Sequence, residues 1–296
     1  MSSVNITRQE AQQRSQVITA HSSKVLVDLS GRDPNGDPLS EPTETFVSSS
    51  TIQFSSTGGE SHLDLIAEGV YAADLDGTPL DPAAFSHNRF PFTAEPGTHE
   101  ITVTALCRYS HSGEGLHRFV DPADGKVYLY TQFEIADARR MYANFEQPDQ
   151  KMTFELQVIA PTDWVIVSNS PTPEPTEDPR EGMSRWSFEP TLPISTYLTA
   201  LIAGEYHVDH GTIHTASGEI DANILCRQSM KEYLDADRIR TTTQRGFEVY
   251  EAEFGYPYPF DKYTQSFVPE FNAGAMENVA CVTHRDDLLF RSRVTS

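Results

Sequence analysis

Apolar and polar residues alternate with a period of two along most of the first two thirds of this 296-residue chain. The clearest runs are Ile101-Val103-Ala105-Cys107 and Met152-Phe154-Leu156-Val158. Because successive side chains of a β-strand point to opposite faces, the pattern predicts half-buried strands. Further strands are predicted at residues 24–29, 127–134, 163–168, 184–188 and 195–202. Turn-forming clusters such as Asp33-Pro34-Asn35-Gly36-Asp37 separate these runs, so we predict a mainly β fold that begins with an antiparallel saddle or sandwich.

The pattern changes after Gly204, and we place a domain boundary there. Residues 1–204 form the predicted N-terminal β domain. This domain includes a surface loop at residues 171–179, whose repeated prolines cannot donate hydrogen bonds to a sheet. Residues 205–296 form a second, α+β domain, with one more strand near residues 219–226 followed by a helix.

The helix is predicted at residues 231–254, where apolar and aromatic residues recur every three or four positions. Residues with this spacing share one face of a helix. They are Ile239, Thr243, Phe247, Tyr250 and Phe254. Gly255 is expected to end the helix, since glycine readily adopts the left-handed conformation of a helix C-terminus.

Charge and composition exclude several classes of protein. Lys and Arg total 22 against 43 Asp and Glu, and the net charge of −21 would repel the phosphates of nucleic acid. No apolar run approaches the roughly 20 residues that span a bilayer. We therefore expect neither nucleic acid nor a membrane as a partner. The three cysteines have no C-x-x-C spacing and the polar N-terminus lacks the order of a secretion signal, so we expect a cytoplasmic protein.

Gln132 and Glu134 are two positions apart on the strand predicted at 127–134, and therefore lie on the same face as Tyr128 and Tyr130. A face of this kind can be ordinary solvent-exposed sheet. It can also be part of a functional site. The strand alone leaves both interpretations open.

The segment Gly274-Ala275-Met276-Glu277-Asn278 is more unusual, because its small residues allow another chain to approach the backbone. An extended peptide could pair with it as an added strand, and Glu277 would then meet the peptide's N-terminus. The alternative is a glycine bulge in an edge strand. A free α-ammonium group offers three donors and a positive charge, so two carboxylates suit it, and Glu134 with Glu277 is the candidate pair.

These residues resemble the aminopeptidase N family of zinc metallopeptidases, which carries the pentapeptide at positions 274–278. The resemblance includes Tyr258-Pro259-Phe260-Asp261-Lys262-Tyr263 and Thr131-Gln132-Phe133-Glu134. It extends to further segments along the chain: Gly115-Leu116-His117-Arg118-Phe119, Arg139-Arg140-Met141, Phe145-Glu146-Gln147-Pro148-Asp149 and Val167-Ser168-Asn169. It implies an N-terminal β-saddle at 1–204 and, at 205–296, the start of a thermolysin-like catalytic domain.

The resemblance also implies a role for each matching residue. Glu277 and Glu134 would bind the α-amine of a peptide substrate, Gly274 and Ala275 would contact its backbone, and Gln132 would line the same subsite. A related branch that hydrolyses a lipid epoxide has glutamine in place of Glu134, so the glutamate favours a peptidase. The substrate-binding residues expected from the motifs are Gln132, Glu134, Gly274, Ala275, Met276, Glu277 and Asn278.

Zinc in this family is held by an H-E-x-x-H helix and a more distant glutamate. The only His-Glu dipeptide here, His99-Glu100, is followed by a strand pattern without a second histidine. We therefore expect no metal ligand and no catalytic residue in this chain, which would end before the zinc motif. The full-length parent is expected to bind zinc, to include the rest of the catalytic domain and C-terminal domains, and to release N-terminal residues from peptides, whereas this part alone is expected to be inactive.

Other patterns are weaker. His207, His210 and His214 do not have the spacing of a zinc site, and Cys281 with His284 would point to opposite sides of an extended segment. A non-catalytic β-sandwich that binds carbohydrate or protein is the alternative from another functional class. An inactive homologue that serves as a scaffold is the third possibility.

Overall fold

The computed structural model describes residues 5–292. Within this range the α-helices are α1 (Arg8–Val17) and α2 (Ala236–Phe254). The strands, numbered in chain order, are β1 (Ile18–Asp28), β2 (Thr45–Asp64), β3 (Gly69–Leu75), β4 (Thr78–Leu80), β5 (Arg89–Arg108), β6 (Gly115–Val120), β7 (Val127–Gln132), β8 (Thr153–Pro161), β9 (Val165–Ser168), β10 (Thr176–Glu177), β11 (Met183–Ser187), β12 (Leu201–Gly204), β13 (His207–Asp209), β14 (Thr212–Thr215), β15 (Gly218–Asp221), β16 (Ile224–Cys226), β17 (Thr264–Val268), β18 (Ala275–Met276) and β19 (Cys281–Arg285). Short 3₁₀ helices occur at Pro82–Ala84, Ala138–Arg140, Thr196–Leu198, Gln228–Tyr233 and Asp286–Leu288. The prediction of a mainly β chain is confirmed.

The chain divides into two compact units that are discontinuous in sequence. The first unit contains Met1–His117, Thr131–Thr162 and Thr172–Thr199. The second unit contains Arg118–Tyr130, Asp163–Pro171 and Ala200–Ser296. The continuous domains expected from the sequence, 1–204 and 205–296, differ from this division, and the boundary at Gly204 stays a prediction.

The first unit is built on an eight-stranded sheet in the order β10-β11-β8-β1-β2-β5-β3-β4. Its centre is the long antiparallel pair of β2 and β5, whose register runs from Thr45 opposite Arg108 to Asp64 opposite Arg89. Ile101, Val103, Ala105 and Cys107 are buried, as their alternation predicts. The pair of β1 and β8 is parallel, which the antiparallel prediction did not anticipate. β10 also forms an edge strand within the predicted loop at residues 171–179.

The second unit contains a five-stranded sheet in the order β13-β16-β17-β19-β18. β16, β17 and β19 run parallel, whereas β18 is antiparallel to β19 and forms the edge. Ile224, Cys226 and Phe267 of this sheet form a hydrophobic cluster that also includes Met230 and Leu289. Residues 118–120 of β6 and 127–130 of β7 belong to a four-stranded sheet with β12 and β9.

Helix α2 begins later than predicted but ends where the sequence indicated. Asp235 caps its N-terminus, and Gly255 ends it in a left-handed conformation with φ of 62°. The face that carries these apolar and aromatic residues is only partly buried. Ile239 and Phe247 pack within the unit, whereas Tyr250 is 63% and Phe254 is 77% exposed.

No helix in the described range is both long and apolar enough to cross a membrane. The expected cytoplasmic location stays a prediction.

Candidate functional site

The pentapeptide at positions 274–278 forms the edge of the five-stranded sheet in the second unit. Ala275 and Met276 make up β18, and they lie opposite His284 and Thr283 of β19. Exposure then alternates along the segment. Ala275 and Glu277 are exposed, whereas Met276 is fully buried and Asn278 is 1% exposed. The buried residues anchor the edge and leave the Glu277 carboxylate in solvent.

The backbone of β18 is oriented to pair with a further strand. Arg285 donates its backbone N–H to the carbonyl oxygen of Gly274 at 3.2 Å. In an antiparallel pair, residues that bond to the partner strand alternate with residues whose backbone groups point away from it. The N–H and C=O of the next residue, Ala275, therefore point away from β19, where an extended peptide can bind them.

Gly274 is not required by close packing of the fold. A Cβ atom placed on this glycine would meet no atom within 4 Å, and its φ is not positive. A side chain at this position would instead project from a face of the sheet into open space. The glycine thus keeps that space open, which a bulge alone does not explain.

The turn that follows β18 is held by two side chains whose roles could not be predicted from the sequence. Lys262 donates from Nζ to the carbonyl oxygen of Ala280 at 2.7 Å, and Asn169 donates from Nδ2 to the carbonyl oxygen of Val279 at 2.8 Å. In the sequence, the position of Lys262 between aromatic residues and just before a strand was the one indication that its ammonium group is buried. Its partners could not be identified, because they depend on a left-handed residue in the turn.

The strand that carries Gln132 is shorter than predicted. β7 ends at Gln132, so Glu134 lies beyond the strand and the prediction of a strand to residue 134 is wrong. The Gln132 side-chain oxygen accepts the backbone N–H of Glu134 at 3.4 Å, and the Glu134–Ile135 peptide bond is cis. Gln132 is buried, whereas Glu134 is exposed. Tyr128 and Tyr130 are fully buried, so this face of the strand is not ordinary solvent-exposed sheet.

Gln132 and Glu134 belong to the first unit and the pentapeptide to the second. Within the second unit, the ring of Tyr130 meets the ring of Phe271 edge-on, with centroids 5.6 Å apart. Tyr130 and the segment before the pentapeptide are therefore neighbours within this unit. The pairing of Glu134 with Glu277 stays a prediction, as does the assignment of all seven residues to substrate binding.

Among residues 5–292, no group of three or more His, Cys, Asp or Glu side chains is arranged to hold a metal ion. His207 lies on β13 and His214 on β14, in different sheets. Burial raises the pKa of the Cys281 thiol, which opposes formation of a nucleophilic thiolate. The features of the second unit described above are thus an exposed backbone edge at Ala275 and an exposed carboxylate at Glu277.

Comparison with known proteins agrees with these features. Residues 85–198 match the Peptidase M1 N-terminal domain, and residues 240–296 match the Peptidase family M1 domain. Aminopeptidase N of Streptomyces lividans is 47% identical over 299 aligned residues, which cover 100% of this chain and 33% of that protein. Aminopeptidase N of Acetobacter pasteurianus is 31% identical, covering 72% of this chain and 59% of that protein. Human aminopeptidase N is 32% identical, covering 58% of this chain and 18% of that protein.

The chain thus spans about a third of the length of its Streptomyces relative and less than two thirds of the Acetobacter one. The two family matches fall on both sides of Gly204, and the second contains the pentapeptide. The similarity to the Streptomyces protein also includes the segments between the two matches, since it covers the whole chain. This chain belongs to the aminopeptidase N family of M1 peptidases.

Proposed function

We propose that the protein containing this chain is an aminopeptidase, and that this chain supplies residues that bind the peptide substrate. The observation that carries the proposal is the edge strand β18. Ala275 presents outward-pointing backbone groups and Glu277 an exposed carboxylate, while Met276 and Asn278 anchor the segment. A peptide would bind as an added strand, with its N-terminal ammonium group at Glu277.

Recognition of the free amine follows from charge. Hydrogen bonds that involve charged groups contribute about 1.5–3 kcal/mol each, so one carboxylate can favour a free over an acylated N-terminus by roughly 10- to 150-fold. We assign Glu277 as the first carboxylate and Glu134 as the second. Gln132, whose oxygen accepts the Glu134 N–H, would line the same subsite.

The resemblance to the family implies zinc in the whole protein, but the residues of this chain do not fit a zinc site. The sequence has no H-E-x-x-H motif, and no suitable cluster of ligands occurs in the described part of the chain. We therefore assign this chain to substrate binding and no step of hydrolysis. We expect the purified 296-residue chain not to hydrolyse an alanine p-nitroanilide, and measurable hydrolysis by a contaminant-free sample would contradict this.

The test of the amine-binding role is the steady-state kinetics of the full-length protein with an aminoacyl substrate. Glu277→Gln and Glu134→Gln keep the side-chain shape and remove the charge, so each is expected to lower kcat/KM by about 10- to 150-fold. Glu253→Gln, at an exposed position of α2, is the matched control and should leave kcat/KM unchanged. Unchanged kinetics in both glutamate variants would refute the assignment.

Activity of the full-length protein also separates the competing functions. A non-catalytic binding module or an inactive scaffold would release no amino acid from any peptide. A scaffold that keeps the peptide site would still bind free-amine peptides in preference to acylated ones, whereas an unrelated module would not.

A further inference from the structure

The turn between β18 and β19 contains a backbone conformation that needs support. Ala280 has a φ of 56°, in the left-handed region, and its side chain is buried. A residue other than glycine in this region is destabilised by crowding between Cβ and the backbone. Two donors meet the Ala280 carbonyl oxygen: Nζ of Lys262 at 2.7 Å and the backbone N–H of Thr264 at 3.1 Å. The unusual conformation thus directs this carbonyl toward β17.

Burial of the charged Lys262 side chain is unfavourable, because the ammonium group loses its hydration. Its side chain is in the interior, with 5% of the residue exposed, and its ammonium donates to the Ala280 carbonyl and to Oγ1 of Thr264, not to a carboxylate. Burial lowers its pKa to about 8. An apolar side chain of similar length would avoid this desolvation, but it could not hold the carbonyl.

Asn169 holds the carbonyl of Val279, the residue before Ala280. Its Nδ2 donates to the Val279 carbonyl oxygen at 2.8 Å, while its Oδ1 accepts the backbone N–H of Ala200 at 2.8 Å. Asn169 is 4% exposed, and its double contact ties the turn to Ala200, the residue before β12. Two consecutive carbonyls are therefore fixed immediately after the segment that ends in Glu277 and Asn278.

We propose that Lys262 and Asn169 are positioning residues that fix the direction of the Glu277 carboxylate toward the substrate amine. Glu277 is exposed and lies between the anchor Met276 and this turn, so the orientation of its backbone depends on both. Release of either carbonyl would let the turn rotate while the sheet behind it stays intact. The inference rests on the proposed function, because it assumes that Glu277 binds the amine.

The experiment compares Lys262→Met with wild type in the full 296-residue chain by two measurements. The first is backbone hydrogen exchange, residue by residue. The second is NMR titration with trialanine and with N-acetyl-trialanine. Lys126→Met is the matched control, because Lys126 makes a surface ion pair with Glu205 in the same unit. Asn169→Asp is the second variant: it retains an acceptor for Ala200 but replaces the donor to Val279, so it tests the same turn if Lys262→Met does not fold.

The expected result is local. Exchange should accelerate by about 10-fold or more at the Thr264 and Cys281 amides, which bond to Ala280 and Asn278, and stay unchanged at β16. The preference for trialanine over its acetylated form should fall by about 10-fold, and Lys126→Met should change neither measurement. Faster exchange throughout the second unit would reduce Lys262 to a structural role and overturn the proposal.

A wild-type preference for trialanine that both variants retain would overturn the role of Lys262 and Asn169 alone. A wild-type chain that does not distinguish the two peptides would instead overturn the assignment of Glu277 to the amine, and with it the proposed function. The two failures are therefore distinguishable in the same titration.

Discussion

Glu146 should make the stability of the first unit depend on pH in a direction opposite to that of most carboxylates. The residue is 4% exposed, and burial raises its pKa from 4.5 to about 7, although hydrogen bonds from the Thr196 hydroxyl and the Arg139 backbone oppose the rise. The carboxyl group is therefore protonated in the folded chain at pH values where it is ionised in the unfolded chain. Its contribution to stability is fully present below pH 4.5 and is lost as the pH rises through about 7.

The size of this change in stability follows from the difference between the two pKa values of Glu146, in the unfolded and in the folded chain. Each pH unit between 4.5 and about 7 corresponds to about 1.4 kcal/mol, so ionisation should reduce the free energy of unfolding by about 3 kcal/mol in total. Glu146→Gln removes the titration and keeps the shape. In the wild type, Oε2 of Glu146 lies 2.7 Å from the backbone nitrogen of Arg139, and Oε1 lies 2.7 Å from the hydroxyl oxygen of Thr196. In the variant, the glutamine oxygen can accept from the Arg139 N–H, and the glutamine NH₂ can donate to the Thr196 hydroxyl oxygen.

The assay is urea unfolding followed by tryptophan fluorescence between pH 5 and pH 8. Trp186 lies on β11 of the first unit and Trp164 in the second unit, so Trp164→Phe leaves a reporter for the first unit alone. In this background Glu146→Gln should gain stability over the parent as the pH rises, reaching about 3 kcal/mol near pH 8. Glu60→Gln, at an exposed position, is the control. A difference between Glu146→Gln and its parent that is constant from pH 5 to pH 8 would refute the buried protonated carboxyl.

Two substitutions test the second unit. Gly274→Val should change the free energy of unfolding by less than about 1 kcal/mol, since an added Cβ meets no atom within 4 Å. The same substitution should abolish binding of trialanine in an NMR titration. Unimpaired binding would show that peptides do not use this edge. Arg227→Met should destabilise the unit by about 3–5 kcal/mol in urea unfolding, because it leaves Asp121 and Asp286, each 2.7 Å from the guanidinium, without their buried partner. A loss below about 1 kcal/mol, as expected for the surface pair of Lys126 and Glu205, would contradict this account.

Local sequence patterns predicted most of the strands and the end of α2, because these depend on neighbours along the chain. The strand predicted at 195–202 was wrong over most of its length, since Thr196–Leu198 form a 3₁₀ helix and β12 begins only at Leu201. The alternation at Ile101 to Cys107 reflects one buried face, and Gly255 adopts the left-handed conformation that a helix end favours. Features set by distant partners were not predictable. The period-two pattern continues through Glu134, but β7 ends at Gln132, where the Gln132 side chain bonds back to the Glu134 amide.

In the candidate site, too, local features were predictable and features that depend on distant residues were not. The pentapeptide could be recognised from its residues, but the alternation of exposed Ala275 and Glu277 with buried Met276 and Asn278 depends on pairing with β19. The parallel pairing of β1 with β8 joins residues more than a hundred positions apart, and no local pattern encodes it. Tyr250 and Phe254 have the spacing of a buried face and are nevertheless exposed, because spacing states which residues share a face and not what covers it.

The two-residue length of β18 limits how far this edge can pair with a second copy of the chain. A protein that binds extended peptides must expose a strand edge, and an exposed edge can also recruit a second copy of the same protein into an aggregate. β18 offers enough backbone for a peptide terminus but too little for a long intermolecular ladder. The negative charge of Glu277 at its end would also repel an identical edge while attracting a peptide's ammonium group. A short edge that ends in a carboxylate thus discourages self-association.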